Sequence, residues 1–426
     1  MKMHPGPEVP AQAQCPSSGF EGSCYEWTSP EEQVAHTTAE LCGWYFGASL
    51  RAVILTGSLA RGEGSIVERG GLWDFASDAE FIVILNDSFV APSALEISGL
   101  VQRIETGLAE RRIQCHIALN CAYDKFLMQM EPHIFAYETK VNGRVVLGEP
   151  DILSKIPQFY PSEIPREDAW RLLSNRMIET AEALASASID AAGRVPEAVQ
   201  YRIIKLYLDM ATSLLIFLGE YASSYRNRSS MLERLAAGEG TLPVPFPLRG
   251  FSEMVNVCTT AKLSPNAAGE AFTNWEDVGK ALRFALQLWF WELQLITGDK
   301  QSMSPTELCL RAIRQEPALA RLRGWAYVLR RQGWHKSARQ WLRWMRLARR
   351  ASPRYWLYAA IGEVYLRPQT LLMPTPEELP APLDWQSLWD ALPLVPQSAV
   401  PLTCDWRLLL RAIAWNYHEF LEETRG

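Results

Sequence analysis

The sequence predicts an α+β fold, in which a mixed sheet flanked by helices is followed by mainly α-helical domains. Short apolar runs rich in β-branched residues alternate with helical patterns only in the first part of the chain. Prolines at positions 157, 161 and 165 then mark a boundary, and beyond it apolar residues recur at helical steps of three and four. The 426 residues therefore divide into a flexible N-terminal segment (1–27), a mixed domain (28–160), a helical domain (161–300) and a basic helical domain (301–426).

The mixed domain begins with a helix. Ser29 is a typical N-cap, Pro30 suits the first helical position, and Glu32 completes a capping box for a helix that ends near Phe46. The next predicted elements are a strand over 51–56, a glycine-rich loop over 57–65, a strand over 79–85, a helix over 93–111 and a strand over 113–119. Asn142-Gly143 between β-branched runs predicts a hairpin that closes the domain.

The rest of the chain has a helical pattern interrupted by prolines and glycines. Amphipathic helices are predicted around residues 170–184 and 199–217, and a long one over 274–297, with a loop over 240–250. About four helices broken at positions 317, 333 and 353, a proline-rich loop and a closing helix over 405–423 complete the basic domain.

Composition excludes several classes of protein. A chain with 48% hydrophobic and 21% charged residues is not disordered along its whole length. We expect no membrane span, because no stretch reaches the roughly 20 apolar residues that a spanning helix needs. The N-terminus lacks the apolar core of a signal peptide, so a cytoplasmic location is expected. The eight cysteines and six histidines are scattered, which predicts neither a disulfide framework nor a dedicated zinc site.

The net charge of −6 hides an uneven distribution. Residues 305–354 carry 13 Lys or Arg and two acids, a net charge of +11 that leaves −17 for the rest of the chain. Arg339, Arg343, Arg346 and Arg350 recur at helical spacing and predict one cationic stripe, interleaved with tryptophans. Three interpretations stay open: a solvated face or latch on this protein's own acidic surface, a site for nucleic acid or another polyanion, and a site for a partner or an anionic membrane surface.

The residues that indicate chemistry surround the glycine-rich loop. Asp78 and Glu80 are two apart at the head of a strand, a spacing that places both carboxylates on one face, where they can share a divalent cation. Gly57 permits close approach of a phosphate, Ser58 can donate a hydrogen bond to it, and Arg61 can add a charge-assisted contact. Hard oxygen ligands beside a phosphate site indicate Mg²⁺ and a nucleoside triphosphate.

The segments LTGSLARGEGS and SDAEFIVIL resemble the nucleotidyltransferase superfamily of the polymerase-beta and kanamycin-nucleotidyltransferase kind. The signature of that superfamily is Gly-Ser after one strand, a variable loop, and Asp-x-Asp or Asp-x-Glu at the head of the next strand. The likeness extends over roughly residues 30–240. It implies a nucleotidyltransferase-type catalytic domain over 28–160, followed by a helical domain.

The resemblance implies transfer of a nucleoside monophosphate from a triphosphate, with ATP as the first expectation, to an acceptor hydroxyl or phosphate, with release of pyrophosphate. Asp78 and Glu80 would hold Mg²⁺, while Gly57, Ser58 and Arg61 would contact the phosphates.

Lys205 and Arg228 are further candidates to contact the triphosphate or the acceptor. Each has a structural alternative: an i,i+4 ion pair from Lys205 to Asp209, and solvation of Arg228 at a helix end. Arg61 has the alternative of pairing with Glu63 on the surface.

Two features depart from the family pattern. Residues 66–76 lengthen the loop, and the strand expected to carry a third carboxylate offers Gln114 and His116 instead. His116 is a candidate catalytic base, because imidazole titrates near neutral pH, with a satisfied core histidine as the alternative. Other candidates for the missing acid are Asp74, Asp87 and Asp124. Two more functions therefore stay open: a non-catalytic nucleotide-binding sensor or scaffold, and a nucleotidyltransferase that modifies proteins.

Overall fold

The computed structural model describes residues 29–90, 92–187, 193–238, 243–265, 271–299, 304–313, 316, 318–332, 338–367, 385–394 and 406–424. Residues 1–27, predicted to be flexible, lie outside these ranges, as do Pro317 and Gly333, where breaks between basic helices were predicted. The predicted loop over 240–250 is described from residue 243 onwards. Within these ranges the fold is α+β with helices predominating, as the sequence predicts.

Residues 29–165 form what we call the sheet unit. Its helices are α1 (Pro30–Phe46), α2 (Gly57–Ala60), α3 (Ala94–Glu110), α4 (Asp124–Met128) and α5 (Ile134–Asn142). Its strands are β1 (Leu50–Thr56), β2 (Ile66–Arg69), β3 (Leu72–Phe75), β4 (Ala79–Leu85), β5 (Ile113–Gln114), β6 (Ile117–Tyr123) and β7 (Arg144–Gly148). The predicted N-cap of α1 is confirmed, because the Ser29 side chain accepts a hydrogen bond from the Glu32 amide.

The main sheet has the strand order β6-β4-β1-β7, in which β4 runs antiparallel to β1 and parallel to β6. Alternate side chains of the sheet pack against α1 and α3 on one face and against α4 and α5 on the other. The register pairs Thr56, the last residue of β1, with Glu80 near the start of β4. This pairing brings the glycine-rich loop that follows β1, which begins with the short helix α2, next to the carboxylates at the head of β4.

Two expectations for the sheet unit are corrected, and the predicted insertion has a defined structure. The predicted strand over 113–119 is two strands, because β5 pairs with β3 in a second, three-stranded sheet while β6 pairs with β4. The predicted insertion over 66–76 contains the hairpin of β2 and β3, which forms the rest of that second sheet. Asn142-Gly143 is not a hairpin turn: the residues before it form α5, whose N-terminus is capped by the His133 side chain, and Gly143 ends that helix.

The remaining helices form what we call the helical unit. They are α6 (Arg166–Ser186), α7 (Glu197–Leu218), α8 (Tyr225–Ala237), α9 (Leu248–Leu263), α10 (Trp275–Thr297), α11 (Pro305–Ala312), α12 (Ala318–Gln332), α13 (Ala338–Ala348), α14 (Pro353–Tyr365), α15 (Trp385–Ala391) and α16 (Trp406–Thr424). The closing helix predicted over 405–423 is confirmed as α16.

Among the described residues, the buried apolar side chains of the helical unit form one continuous hydrophobic core. It includes buried side chains from Ile164 to Phe420, and α16 packs back onto α6. The predicted boundary near residue 300 therefore does not separate two cores. Among the helices described, none is both long enough and apolar enough to cross a membrane.

Candidate functional site

A cleft of about 200 Å³ lies between the sheet unit and helices α6 to α9 of the helical unit. Apart from three aliphatic residues, its lining consists of Gly57, Ser58, Arg61, Ser77, Asp78, Glu80, Glu138, Arg176, Lys205, Asp209, Thr212, Tyr225, Arg228 and Lys262. The structure thus brings together seven of the eight candidate site residues. His116 is the exception.

The loop after β1 lies against the acidic head of β4. Gly57 has φ +68°, and a Cβ atom built on it would lie 3.0 Å from the Glu80 carboxyl carbon. A side chain at position 57 would therefore both strain the backbone and collide with the carboxylate. The Thr56 hydroxyl donates to the Glu80 carbonyl oxygen (3.2 Å), which fixes this end of the strand pair.

Asp78 and Glu80 are the two carboxylates of the cleft that form no ion pair with a described residue. Both side chains are accessible to solvent in the cleft, and neither accepts a hydrogen bond or forms an ion pair with any described residue. The surrounding protein desolvates Glu80 and raises its pKa, an effect that the neighbouring Asp78 and Glu138 carboxylates increase and that Arg61 and Lys205 oppose. Two adjacent acids that form no ion pair favour the binding of a cation.

Lys205 on α7 faces this pair from the helical unit. Its predicted alternative is wrong, because Asp209 pairs with Arg176 (2.6 Å) and not with Lys205. The Lys205 ammonium lies 4.9 Å from the centre of the Tyr201 ring and has no carboxylate partner in the described chain. Desolvation and two nearby arginines lower its pKa, and the negative charge of Asp78 opposes that effect.

Lys262 on α9 is a site residue that the sequence analysis missed. Its side chain is buried, and its ammonium donates to the hydroxyl of Ser77 (2.6 Å), the residue before Asp78. Burial, together with the charges of Lys205 and Arg176, lowers its pKa to about 7, and Asp78 opposes the shift. No sequence motif surrounds Lys262; the one signal is a lysine at the end of an otherwise amphipathic helix.

Arg61 is tied into the protein by two carboxylates. It donates to Glu138 (2.7 Å) and to Glu63 (3.3 Å), and its guanidinium lies over the Tyr225 ring. Glu63 is buried and accepts hydrogen bonds from the Ser224 hydroxyl and the Tyr225 amide, at the N-terminus of α8. The pairing of Arg61 with Glu63 is therefore observed, but it is buried, and Glu63 also binds the helical unit.

Arg228 lines the cleft, yet its donors are engaged within the protein. Its guanidinium donates to the Thr212 hydroxyl (2.6 Å), to Glu138 (2.6 Å), to the Tyr221 hydroxyl (3.1 Å) and to two backbone carbonyls. Its predicted solvation at a helix end is wrong, because the residue is buried. Arg228 and Arg61 thus hold Glu138 from two sides.

The imidazole of His116 does not line the cleft. The backbone of this residue lies beside β4, where its carbonyl oxygen accepts from the Ala79 amide (2.9 Å). Its side chain, however, is 68% exposed and pairs with Glu105 of α3 (3.0 Å). The structure therefore gives no support to a role as the base beside Asp78 and Glu80. The alternative of a satisfied core histidine is also wrong, since the side chain is exposed.

The position for a third acid on β6 is occupied by a small apolar residue. The register places Ala118 of β6 opposite Glu80. Gln114 belongs to the second sheet, where it pairs with Asp74. The strand beside the carboxylate pair therefore supplies no third carboxylate at this level.

The other candidates for the third acid lie elsewhere. Asp87 follows the far end of β4, and Asp124 is bound by Arg51 and Lys155. Neither of them lines the cleft, and nor does Asp74. Two further acids do line it, and both carboxylates already have partners: Glu138 of α5 and Asp209 of α7.

The donor set fits Mg²⁺ in part. Two carboxylates with free oxygens suit a hard cation that retains several waters. Within the ranges given above, no group of three or more His, Cys, Asp or Glu side chains is arranged to hold a metal ion. Any bound Mg²⁺ would therefore depend on Asp78 and Glu80 together with water and substrate oxygens.

The basic segment binds partly to its own chain. Arg343 donates to backbone carbonyls at the end of α15, and Arg331 pairs with Glu419 of α16 (2.6 Å). Arg331, which lies outside the stripe, thus pairs with an acid of the same chain, whereas Arg343 binds carbonyl oxygens, and the latch interpretation of the stripe stays a prediction.

The remaining members of the predicted stripe differ from one another. Arg350 lies over the Trp356 ring, and Arg346 is exposed. The side chain of Arg339 lies outside the described part of the chain. A site for a polyanion on this surface stays a prediction.

No protein-family model matches the chain, and no curated protein matches it in sequence.

Proposed function

We propose that the protein is a metal-dependent nucleotidyltransferase that moves a nucleoside monophosphate from a nucleoside triphosphate to an acceptor and releases pyrophosphate. The observation that carries this proposal is one cleft in which two carboxylates and two lysines stand without partners of opposite charge in the described chain. Charged groups that form no ion pair in a partly buried cleft favour a function in binding a charged ligand. A magnesium complex of a triphosphate supplies both signs of charge.

Each set of charged groups in the cleft matches one part of that ligand. Asp78 and Glu80 would hold Mg²⁺, which supplies charge neutralisation of the triphosphate during attack. The ammonium groups of Lys205 and Lys262 would bind phosphate oxygens from the opposite side, and a bound phosphate would favour their protonated forms. Gly57 leaves room for the Glu80 carboxylate because it has no side chain, and Ser58 lines the same space.

The transfer itself is an exchange of bonds at the α-phosphorus. The acceptor oxygen forms a bond to this phosphorus, the bond to the bridging oxygen of pyrophosphate breaks, and the proton of an acceptor hydroxyl passes to water. The contribution of the chain is positioning and electrostatic stabilisation, which are the main terms in reactions of this type.

A non-catalytic nucleotide-binding function is the second candidate. It is favoured by Ala118, which stands opposite Glu80 where a third acid would lie, and by Glu138, whose carboxylate is held by Arg61 and Arg228. Such a protein would bind the magnesium complex of a triphosphate and release no pyrophosphate.

A thermal-shift titration tests the proposal. Each nucleoside triphosphate, beginning with ATP, is added with and without Mg²⁺ to the wild type, to Glu80→Gln and to the control Glu68→Gln, which changes an exposed acid of β2. A ligand at 100 times its Kd stabilises the folded state by about 2.7 kcal/mol. We expect a magnesium-dependent rise in Tm that is lost in Glu80→Gln and kept in Glu68→Gln.

A shift that is absent, independent of Mg²⁺ or unchanged in Glu80→Gln would overturn the proposal. Where the shift is present, pyrophosphate release in the presence of an acceptor distinguishes the enzyme from the binding protein.

A further inference from the structure

A second, larger cavity of about 510 Å³ adjoins the cleft. Its lining includes Ala76, Tyr201 and Lys262, and Lys262 lines the cleft as well. The Tyr201 hydroxyl donates to the Ala76 carbonyl oxygen (2.6 Å), and the Tyr201 ring lies 4.9 Å from the Lys205 ammonium. The two cavities therefore share a wall made of α7, α9 and the segment before β4.

The shared wall lies close to the carboxylate pair. Ala76 lines the larger cavity, while Ser77 and Asp78 line the cleft. Consecutive Cα atoms are about 3.8 Å apart, so the Cα atoms of Ala76 and Asp78 are separated by at most about 7.6 Å. The larger cavity and the carboxylate pair are therefore separated by about two residues of backbone at this wall.

The described lining of the larger cavity has more basic than acidic residues. Among the described lining residues, Arg69, Arg194 and Lys262 are basic, and Glu197 is the single acid. Arg69 and Arg194 are exposed, whereas Lys262 is buried at the wall shared with the cleft. A negative ligand is therefore favoured and a polycationic one, such as an amino sugar, is disfavoured.

The rest of the lining is mainly apolar. Val195, Pro196, Ile204 and Ala261 contribute aliphatic surface beside the charged groups. Concave sites with an apolar wall and a few charged groups bind small organic molecules with both characters. The lining thus fits a compact molecule with an apolar body and a negatively charged group.

We propose that the larger cavity is the acceptor subsite and that it takes a small organic anion with an apolar body, held by Arg69. This inference rests on the proposed function, since an acceptor is needed only if a nucleotidyl group is transferred in the adjoining cleft. Placement next to Asp78 lets the acceptor oxygen face the α-phosphorus, while the anionic group stays among the cations of the larger cavity.

Equilibrium dialysis with two matched probes tests this assignment. Naphthaleneacetate and naphthylethylammonium share the aromatic body and differ in the sign of the terminal charge. We expect the anion to bind at one site per chain about tenfold more tightly than the cation, which corresponds to about 1.4 kcal/mol. Ile204→Trp, which fills the cavity, should abolish this binding, and Arg69→Glu should remove the preference for the anion.

The matched control is Arg144→Glu, which makes the same charge change at an exposed position of β7 outside the lining. It should leave the preference unchanged. Equal binding of both probes, no binding, or anion binding that survives Ile204→Trp in a variant with the wild-type Tm would overturn the acceptor subsite.

The same samples separate this inference from the proposed function. A magnesium-dependent ATP shift without selective anion binding leaves the nucleotidyltransferase proposal in place and overturns the acceptor subsite. Selective anion binding without any nucleotide shift overturns both the nucleotidyl transfer and the role of the anion as its acceptor.

Discussion

The cleft has two sides that use the same residue types in opposite ways. On the closed side, Glu138 is held by Arg61 and Arg228, and Glu63 is held by Arg61 and the N-terminus of α8. On the open side, Asp78 and Glu80 face Lys205 and Lys262 without forming ion pairs.

The two sides differ in which groups balance each charge. On the closed side, each charge is balanced by partners in the same chain, so these charges fix the position of the helical unit on the sheet unit. On the open side, the charged groups form no ion pairs, so they are available to bind a ligand. Residue type alone therefore does not separate a structural charge from a functional one, whereas its partners do.

The largest expected effect comes from breaking the closed side. Arg228→Met removes a partner of the partly buried Glu138, so we expect the free energy of unfolding to fall by about 3–5 kcal/mol. Urea denaturation measures it. Arg226→Met, two residues earlier on α8 and exposed, is the control and should change stability by less than about 0.5 kcal/mol. A loss equal to that of the control would show that the closed side does not hold the units together.

The open side should behave in the opposite way. Asp78→Asn removes an unpaired exposed charge, so we expect stability to be kept or slightly raised while magnesium-dependent nucleotide affinity falls about 100-fold, or about 2.7 kcal/mol. Calorimetric titration with ATP and Mg²⁺ measures the affinity. Asp87→Asn, beyond the other end of β4, should alter neither quantity. Unfolding of Asp78→Asn would make this acid structural and remove the contrast between the two sides.

A carboxylate outside the cleft sharpens the comparison, because it is buried without a cationic partner among the residues described. Glu292 of α10 accepts from the Ser213 hydroxyl (2.6 Å), and its other oxygen has no hydrogen-bond partner among the described atoms. Burial raises its pKa to about 8, and the hydrogen bond from Ser213 opposes that shift. Glu292 therefore avoids a buried negative charge by holding a proton and not by pairing with a cation.

That shift sets the direction of a pH effect on stability. Between the ordinary pKa of 4.5 and about 8, the folded state holds a proton at Glu292 that the unfolded state has released. The contribution to stability is complete below this window and is lost as pH rises through it, by up to about 1.4 kcal/mol per pH unit. Urea denaturation across the window should show that Glu292→Gln gains stability relative to the wild type as pH rises. An unchanged difference would mean that Glu292 is ionised in the folded protein.

The smallest expected effect concerns one lysine of the open side. Lys205→Met keeps the aliphatic length but removes the ammonium, so nucleotide affinity should fall about tenfold, or about 1.4 kcal/mol, with little change in Tm. Calorimetric titration with ATP and Mg²⁺ checks this, and Lys280→Met, at an exposed position of α10, is the control for loss of a positive charge. If both variants bind ATP as the wild type does, Lys205 does not belong to the triphosphate site.

Local patterns predicted the part of the site that β1, the glycine-rich loop and β4 form. Gly57, Ser58, Asp78 and Glu80 lie within one strand-loop-strand segment, and the pairing of Thr56 with Glu80 brings them together as expected. The runs of apolar residues were sufficient to place β1 and β4 because both strands are buried.

Two further residues of the cleft, Lys262 and Glu138, could not be predicted from local patterns. Lys262 and Glu138 lie on amphipathic helices whose periodicity shows which face is buried but not which unit that face meets. The hairpin predicted at Asn142-Gly143 does not form, because the turn propensity of these residues is outweighed by the capped helix before them. The strand over 113–119 was split because its two halves pair in different sheets, which depends on contacts distant in sequence.

The hydrogen bonds that tie Lys262 to Ser77, and Ser65 to the Lys262 carbonyl oxygen, also set an order of events during synthesis. Lys262 is added to the growing chain nearly two hundred residues after Asp78. At translation rates of about 5–20 residues per second, that interval is roughly ten to forty seconds. For this time the nascent chain carries the acidic pair without the buried lysine of α9. Under the proposed function, full nucleotide affinity therefore arises only when α9 has docked, and chains that the ribosome releases earlier compete weakly for nucleotide.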